Sequence, residues 1–222
     1  MKNLLEGLSR YERITRSRYS KHFARLADGQ VPHTLFITCA DSRVVPNLLA
    51  SAEPGELFVV RNIASLVPPC GDPFDASVQA AVGFAVDNLG VSDIVVCGHS
   101  SCGGIKALLA GASSEDVLGR WLAHAQPALN TFRDKGARDD GTPDHDQVSQ
   151  LCVLHQIQHL LTYPNVRKRV KAGELNLHPW WFEIATGEML AYSKESGSYV
   201  PALNQLEERY RAAGTSVARR VA

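Results

Sequence analysis

Two short segments of the chain combine cysteine, histidine and charged side chains at close spacing. The first is Cys39-Ala40-Asp41-Ser42-Arg43, and the second is His99-Ser100-Ser101-Cys102, which two glycines follow. A histidine and a cysteine three residues apart in one turn can bind a single metal ion, and a cysteine from another segment can supply a third ligand. Three protein ligands leave one tetrahedral position for water, which is typical of catalytic rather than structural zinc. The two segments therefore predict a zinc site.

The spacing alone leaves the third ligand open between Cys39 and Cys97. Cys97 stands in an apolar run, where a free cysteine usually behaves as a small buried hydrophobe. Asp41 lies two residues from Cys39 and is well placed to accept a proton from water on the metal. Arg43 could hold that carboxylate ionised and oriented.

Two competing interpretations of the polar motifs are weaker. A glycine-rich turn between strand and helix can also cradle phosphate, but no Gly-x-Gly-x-x-Gly or Gly-Lys-Ser/Thr pattern is present here. His155 and His159 share one helix face, but Gln156 stands where a zinc protease needs a glutamate base. We therefore interpret the two histidines as part of a solvated helix face.

Buried strands and helices alternate around these segments. The apolar runs Thr34–Thr38, Leu57–Val60 and Asp93–Cys97 are typical of buried parallel strands. Helices are expected at 75–89, 115–132 and 147–162. This alternation predicts an α/β fold with a mainly parallel central β-sheet flanked by helices. In such a sheet, binding sites form beyond the carboxyl ends of the strands, where both polar segments lie.

The ends of the chain complete the expected organisation. One or two amphipathic helices, with a polar break at 15–18, form an N-terminal arm over residues 1–28. A strand pair at 174–184 and 189–192 precedes a last helix at 203–211, and a flexible tail spans 213–222. We expect residues 1–222 to form a single domain.

Composition excludes several classes of function. The 222 residues carry 23 Lys and Arg against 23 Asp and Glu, so the excess of positive charge that nucleic-acid binding needs is missing. No apolar run is long enough to insert into a membrane, and no signal peptide is evident. Five cysteines are too few, and odd in number, for a disulfide framework. We therefore expect a cytoplasmic protein without nucleic-acid partners.

Four motifs in order resemble those of the β-class carbonic anhydrases. They are Cys-x-Asp-Ser-Arg at 39–43, Glu-Pro-Gly-Glu at 53–56, Val-Arg-Asn-Ile-Ala at 60–64 and Gly-His-Ser-x-Cys-Gly-Gly at 98–104. The resemblance implies one Zn²⁺ per chain and reversible hydration of CO₂ to bicarbonate and a proton, by attack of zinc-bound hydroxide.

The resemblance also implies roles for individual residues. Cys39, His99 and Cys102 would be the zinc ligands, which selects Cys39 over Cys97, and Asp41 with Arg43 would be the catalytic pair. The substrate pocket would be lined by Gln30, Phe58, Ile63, Phe84 and Gly103.

The family resemblance further implies a homo-oligomer, a dimer or a multiple of dimers, in which the N-terminal helices pack on a neighbouring subunit. Phe36 and Phe182 replace the Trp and Tyr typical of members whose aspartate closes onto zinc, so we expect the open-site, plant-like type. Phe84 and Asn88 stand where members of the family carry proton-relaying Tyr and His. We therefore expect proton export to limit turnover.

Two alternatives remain open at the level of sequence. Relatives with similar ligands hydrolyse carbonyl sulfide or carbon disulfide, and the sequence does not show the pocket properties that would separate these gases from CO₂. A non-catalytic zinc- or bicarbonate-binding module is the other alternative. The presence of Asp41, Arg43 and Gln30 argues against it, because a structural site needs none of them.

Overall fold

A computed structural model describes residues 1–113 and 115–205, which are built around one six-stranded mixed sheet. The spatial order is β2-β1-β3-β4-β5-β6. The first four strands in this order are parallel, and β5 and β6 are antiparallel to their neighbours. The strands are β1 (Thr34–Cys39), β2 (Leu57–Asn62), β3 (Asp93–His99), β4 (Asn176–Glu183), β5 (Glu188–Ser193) and β6 (Ser198–Pro201). The predicted mainly parallel sheet flanked by helices is confirmed.

The central strands are mostly apolar because both faces of the sheet are covered there. All six residues of β1 are buried. Leu35 and Ile37 belong to a core that includes side chains from helices on one face, whereas Phe36 packs with Val95 and Phe182 in a smaller cluster. Side chains of a strand alternate between faces, so one continuous apolar run serves both cores.

Helices fill the connections between the strands. In the described part of the chain the α-helices are α1 (Lys2–Arg10), α2 (Arg16–Leu26), α3 (Pro46–Leu49), α4 (Ser77–Gly83), α5 (Gly103–Leu109), α6 (Val117–Leu122), α7 (Gln126–Lys135), α8 (Asp144–Leu160) and α9 (Pro164–Lys171). Asp75 lies just before α4, and its carboxylate accepts a hydrogen bond of 3.0 Å from the backbone N–H of Val78 in the first turn. No helix among the described residues is long and apolar enough to cross a membrane.

The N-terminal arm is one continuous helical rod rather than two separate helices. A π-helical turn at Tyr11–Thr15 joins α1 to α2, so of the one or two helices expected the structure has one, which continues through the polar residues 15–18. None of the residues of these two helices is buried. The arm contacts the rest of its chain near α2's end, where His22 Nε2 donates to the carbonyl of Pro54 at 2.8 Å.

Two further differences concern the C-terminal part. Strand β6 was not predicted from the sequence; it pairs with β5 and extends the sheet by one strand. Only the beginning of the predicted last helix, residues 203–205, lies within the described residues. The predicted tail at 213–222 lies outside them.

Candidate metal centre

The ends of β1 and β3 and the start of α5 bring Cys39, His99 and Cys102 together. Cys39 is the last residue of β1, His99 is the last residue of β3, and Cys102 directly precedes α5. One ligand atom from each lies within 4.8 Å of the others, and all three residues are buried. Neighbouring parallel strands end at the same edge of the sheet, which is why residues 60 positions apart meet there.

The His99 ring is oriented by its own backbone surroundings. Nδ1 donates a hydrogen bond of 2.8 Å to the carbonyl of Ser100, which leaves Nε2 as the atom available to a metal. Nε2 is the only buried side-chain nitrogen or oxygen without a hydrogen-bond partner in the described residues. Leaving such an atom unpaired is costly in a protein interior, and a metal ion would satisfy it. The donor set of two thiols and one imidazole suits zinc.

The pKa values of the two thiols are shifted in opposite directions. A hydrogen bond from Cys102 is the main cause that lowers the pKa of Cys39, and backbone N–H groups of Asp41 and Ala64 also donate to the Cys39 sulfur. The same hydrogen bond raises the pKa of Cys102. Burial lowers the pKa of His99, but the neighbouring Cys39 sulfur and its negative charge outweigh this, so the pKa is raised. The surroundings therefore favour the thiolate, the form that binds metal, at Cys39 and disfavour it at Cys102.

Asp41 and Arg43 form a bidentate pair beside the three ligands. Arg43 Nε donates to Asp41 Oδ1 at 2.9 Å and Arg43 Nη2 donates to Asp41 Oδ2 at 2.7 Å. These bonds hold the pKa of Asp41 well below its ordinary value. Asp41 Oδ2 lies 3.9 Å from His99 Nε2. Arg61 fixes the backbone of the segment from Cys39 to Asp41, since its guanidinium donates to the carbonyls of Cys39 at 3.1 Å and Asp41 at 2.7 Å.

A strained turn at Ile63–Ser65 forms the next layer around Cys39. Ala64 and Ser65 have φ of +66° and +58°, a region that residues with a Cβ rarely adopt. The turn packs closely against α5, because a Cβ on Gly104 would lie 2.8 Å from Ile63 Cγ2 and 3.0 Å from Ala64 Cβ. Gly104 is therefore required by close approach rather than by its own backbone angles.

The structure places the other cysteines and histidines away from this cluster. Cys97 is buried within β3, and burial raises the pKa of its thiol to about 12. Cys152 is likewise buried in α8, while Cys70 is exposed. The view of His155 and His159 as a solvated pair is wrong, because both are half-buried and each has a separate partner. His155 Nε2 lies 3.0 Å from Thr131 Oγ1, and His159 Nδ1 donates to the carbonyl of Val67 at 2.7 Å.

The predicted pocket residues are brought together only in part. Gly103 begins α5 next to Cys102, and Ile63 lines a cavity of about 350 Å³ between the end of β2, the start of α4 and Trp121. Phe58 and Phe84 pair with each other, with ring centroids 5.8 Å apart.

Gln30 lies apart from the other predicted pocket residues, on the exposed loop before β1. In the part of the chain that the structure describes, no hydrogen bond joins its side chain to the cluster.

Sequence reasoning missed two residues near the site. Trp121 donates a hydrogen bond of 2.8 Å from Nε1 to the carbonyl of Ile63. Asp146 is buried and accepts a hydrogen bond from the backbone N–H of Ser101 at 2.6 Å. Both lie far from the motifs in sequence, and neither carries a local signal that would have singled it out.

Comparison with known proteins agrees with this geometry. The family model for carbonic anhydrase matches residues 34–189. A carbonic anhydrase of Pseudomonas aeruginosa is 39% identical over 216 residues, which cover 94% of this chain and 95% of that protein. The solved structure of the β-carbonic anhydrase CcaA matches with a TM-score of 0.84 at 36% identity, covering 90% of this chain and 91% of that one. The chain belongs to the β-class carbonic anhydrases.

Membership in the family settles the general activity. Carbonic anhydrases are lyases that hydrate CO₂ reversibly to bicarbonate, and the β class uses zinc, so the predicted family, reaction and cofactor are confirmed. A further β-carbonic anhydrase, from Sordaria macrospora and described as tetrameric, matches with a TM-score of 0.77 at 29% identity, covering 90% of this chain and 98% of that one.

Proposed function

We propose that this carbonic anhydrase holds its zinc through Cys39, His99 and Cys102. The observation that carries the proposal is the approach of two sulfurs and the partnerless His99 Nε2 to within 4.8 Å of one another. Zinc supplies Lewis acidity, which makes water nucleophilic near neutral pH. Three protein ligands leave the fourth position for the reacting molecule.

Asp41 is the group that orients the attacking water. Its lowered pKa keeps it ionised, so it accepts a hydrogen bond and does not donate one. Arg43 occupies both carboxylate oxygens from one side and holds Asp41 in a fixed direction. This arrangement supports the open-site type, in which Asp41 stays off the metal. The buried Phe36 and Phe182 offer no polar group at the positions that distinguish the closing type.

CO₂ is a small apolar molecule, and the residues proposed to receive it are largely apolar. We assign this role to Ile63, Phe58, Phe84 and the backbone of Gly103, with Gln30 donating to the developing carboxylate. Ile63 is 42% exposed and Phe84 45% exposed, so neither side chain is fully covered within its own chain. The exposed position of Gln30 supports a dimer in which part of the pocket is contributed by a second chain.

The N-terminal arm supports the same assembly. Leu4, Leu5, Leu8 and Ile14 are between 55% and 71% exposed on helices that bury no residue of their own. A second copy of the chain would cover this apolar surface. We infer a homodimer or a multiple of dimers, as in the tetrameric Sordaria protein.

All five cysteines are free, and two of them serve the metal only as thiolates. The free thiols support a reducing compartment such as the cytoplasm. The presence of one six-stranded sheet supports a single domain spanning 1–222.

The assembly is tested by replacing two leucines of one helix face. We expect Leu4→Ser/Leu8→Ser to lower the mass of the particle in light scattering. The control, Glu6→Gln/Arg10→Gln, changes a polar pair with the same spacing on the same helix and leaves the mass unchanged. Equal masses for both variants would contradict an arm-mediated assembly.

The ligands and the activity are tested together by measuring zinc per chain and the hydration of CO₂, carbonyl sulfide and carbon disulfide. We expect one zinc per chain and turnover of CO₂. Cys102→Ala should lose both zinc and activity, whereas Cys70→Ala, at an exposed cysteine, should keep both. Full activity in metal-free protein or in Cys102→Ala would overturn the proposed ligand set, and turnover of the sulfur gases alone would overturn the substrate.

A further inference from the structure

The turn that carries two of the proposed zinc ligands contains a strained residue. Ser101 lies between His99 and Cys102 and has a φ of +54°, the left-handed region that disfavours residues with a Cβ. Such a conformation persists only when the surrounding structure holds it. The contacts of the Ser101 peptide show what holds it.

The first contact is a buried carboxylate from a distant helix. Asp146, in the first turn of α8, is 5% exposed, and its Oδ1 accepts a hydrogen bond of 2.6 Å from the backbone N–H of Ser101. His145 Nε2 lies 3.5 Å from the same oxygen. A buried carboxylate needs strong hydrogen bonds to offset the loss of water, so this short contact to a strained peptide is a specific one.

The second contact joins the carbonyl of the same residue to the catalytic pair. The carbonyl of Ser101 accepts a hydrogen bond of 3.4 Å from Arg43 Nη2. That nitrogen also donates to Asp41 Oδ2 at 2.7 Å. Ser101 therefore connects Asp146 on one side with Arg43 and Asp41 on the other.

Helix α8 also fixes the beginning of the turn. Ser149, one helical turn after Asp146, donates from Oγ to the carbonyl of His99 at 3.1 Å. Trp181 in β4 donates in turn to Ser149 Oγ at 3.1 Å. One face of α8 thus holds the metal-binding turn at two points, and the sheet holds that face in place.

We propose that Asp146 is a positioning residue of the zinc site. Its carboxylate keeps Ser101 in the left-handed conformation that lets His99 and Cys102 face one ion, and it fixes, through the Ser101 carbonyl, the direction of Arg43 and Asp41. The proposal rests on the proposed zinc ligands and adds a residue 44 positions after Cys102. Residues that orient metal ligands from behind are worth roughly 10- to 100-fold in metal affinity or activity.

The test compares Asp146→Ala and Asp146→Asn with Asp144→Ala, which removes an exposed aspartate from the same helical turn. Three quantities are measured: the rate of zinc release to a chromogenic chelator, the visible spectrum of the cobalt-substituted protein, and kcat and KM for CO₂. We expect Asp146→Ala to release zinc roughly tenfold faster or more, with a changed cobalt spectrum and a lowered kcat. Asp146→Asn keeps an acceptor oxygen and should lie between it and wild type, and Asp144→Ala should match wild type.

A rescue variant separates positioning from general damage. Glycine adopts the left-handed conformation without strain, so Asp146→Ala/Ser101→Gly should release zinc more slowly than Asp146→Ala alone. Wild-type release rates and cobalt spectra in both Asp146 variants would overturn the proposal. If Asp146→Ala does not fold, Asp146→Asn decides, since its isosteric side chain keeps the packing. A wild-type zinc release rate and cobalt spectrum in Asp146→Asn would then contradict the proposal. A wild-type chain that binds no zinc would instead overturn the proposed ligands as well.

Discussion

Asp41 is surrounded by positive charge and hydrogen-bond donors on the side of Arg43 and faces the proposed metal position on the other. Its carboxylate is therefore an acceptor at any pH at which the enzyme works. In the proposed mechanism, Asp41 can therefore orient the nucleophile without taking its proton.

Replacing Asp41 by Asn tests that role. The neutral amide keeps the shape but loses the charge-assisted bonds to Arg43, so we expect kcat/KM to fall about 100-fold or more while one zinc per chain is retained. Stopped-flow CO₂ hydration and metal analysis on the same sample provide the measurement.

The chain contains a matched control for this change. Arg138 Nε donates to Asp140 Oδ2 at 2.9 Å, an exposed pair with the same two-residue separation. Asp140→Asn should leave kcat/KM unchanged. A similar small loss in both variants would show that Asp41 is only a structural partner of Arg43.

The sequence could identify the ligand types but not, from spacing, the third ligand. The predicted strands stop at Thr38 and Cys97, whereas the observed strands extend to Cys39 and His99. Cys97 thereby becomes an interior strand residue opposite Thr38. A difference of one or two residues at a strand end, which periodicity cannot resolve, decides which thiol reaches the site. Asp146 was beyond prediction because only the folded position of α8 brings it to Ser101.

At the level of elements, the site depends on how closely α5 approaches the Ile63–Ser65 turn. We expect Gly104→Ala to push against Ile63 and Ala64, lowering the free energy of unfolding by about 1–3 kcal/mol and reducing kcat/KM. Gly83→Ala is the control, because a Cβ there meets nothing within 4 Å, and it should gain about 0.5–1 kcal/mol. Chemical denaturation beside kinetics separates the two. Wild-type stability in Gly104→Ala would contradict this, because it would mean that the Ile63–Ser65 turn moves to accommodate the added Cβ at no cost in stability.

A hydrogen bond between two side chains joins the starts of β3 and β4. Asp93 Oδ1 lies 2.7 Å from His178 Nε2. Burial raises the pKa of Asp93, but hydrogen bonds from His178 and Ser92 outweigh this, so the pKa is lowered. The ionised form is thus favoured by folding, and its contribution to stability is present above the ordinary aspartate pKa of about 4 and is lost as the pH falls through the lower folded value.

Asp93→Asn should consequently destabilise the protein by about 1–2 kcal/mol at neutral pH. The difference from wild type should shrink as the pH falls below about 4, because protonation removes the same charge in wild type. Urea denaturation across that range measures it, with the exposed Asp139→Asn as control. A difference that stays constant with pH would contradict a stabilising role for the Asp93 charge.

The elements that sequence patterns predicted well are those whose periodicity reflects burial on both sides. The central strands β1 and β3 belong to this group. Strand β2 was also predicted as a buried strand, but it lies at the edge of the sheet and is only partly buried. The hairpin of β4 and β5 was predicted although most of its residues are half-buried. Strand β6 has four residues, ends in Pro201 and lies at the sheet edge, so pairing with β5 rather than its own pattern defines it. The polar residues at 15–18 interrupt the apolar spacing of the arm, but the backbone continues through them as one helix.

At the scale of the whole molecule, the open question is how the proton reaches solvent, because positions 84 and 88 lack the Tyr and His that relay it in other members of the family. Phe84 and Asn88 are exposed residues at the two ends of a π-helical turn, and neither side chain titrates near neutrality. We expect kcat to rise several-fold as buffer concentration increases at constant ionic strength, while kcat/KM stays unchanged. Asn88→His should weaken this dependence, since an imidazole titrates in the working range. A kcat independent of buffer in the wild-type enzyme would show that another group of the assembly carries the proton.

Trp121 has a consequence beyond its hydrogen bond to Ile63. It borders the 350 Å³ cavity, whereas Trp181 is buried in the sheet and Trp180 is half-buried there. Indole fluorescence depends on the polarity around the ring, so one of the three tryptophans is a natural reporter for the cavity. Phenylalanine at positions 180 and 181 would leave Trp121 as the single tryptophan. Its emission maximum would then shift as molecules that absorb no visible light themselves enter and leave the cavity.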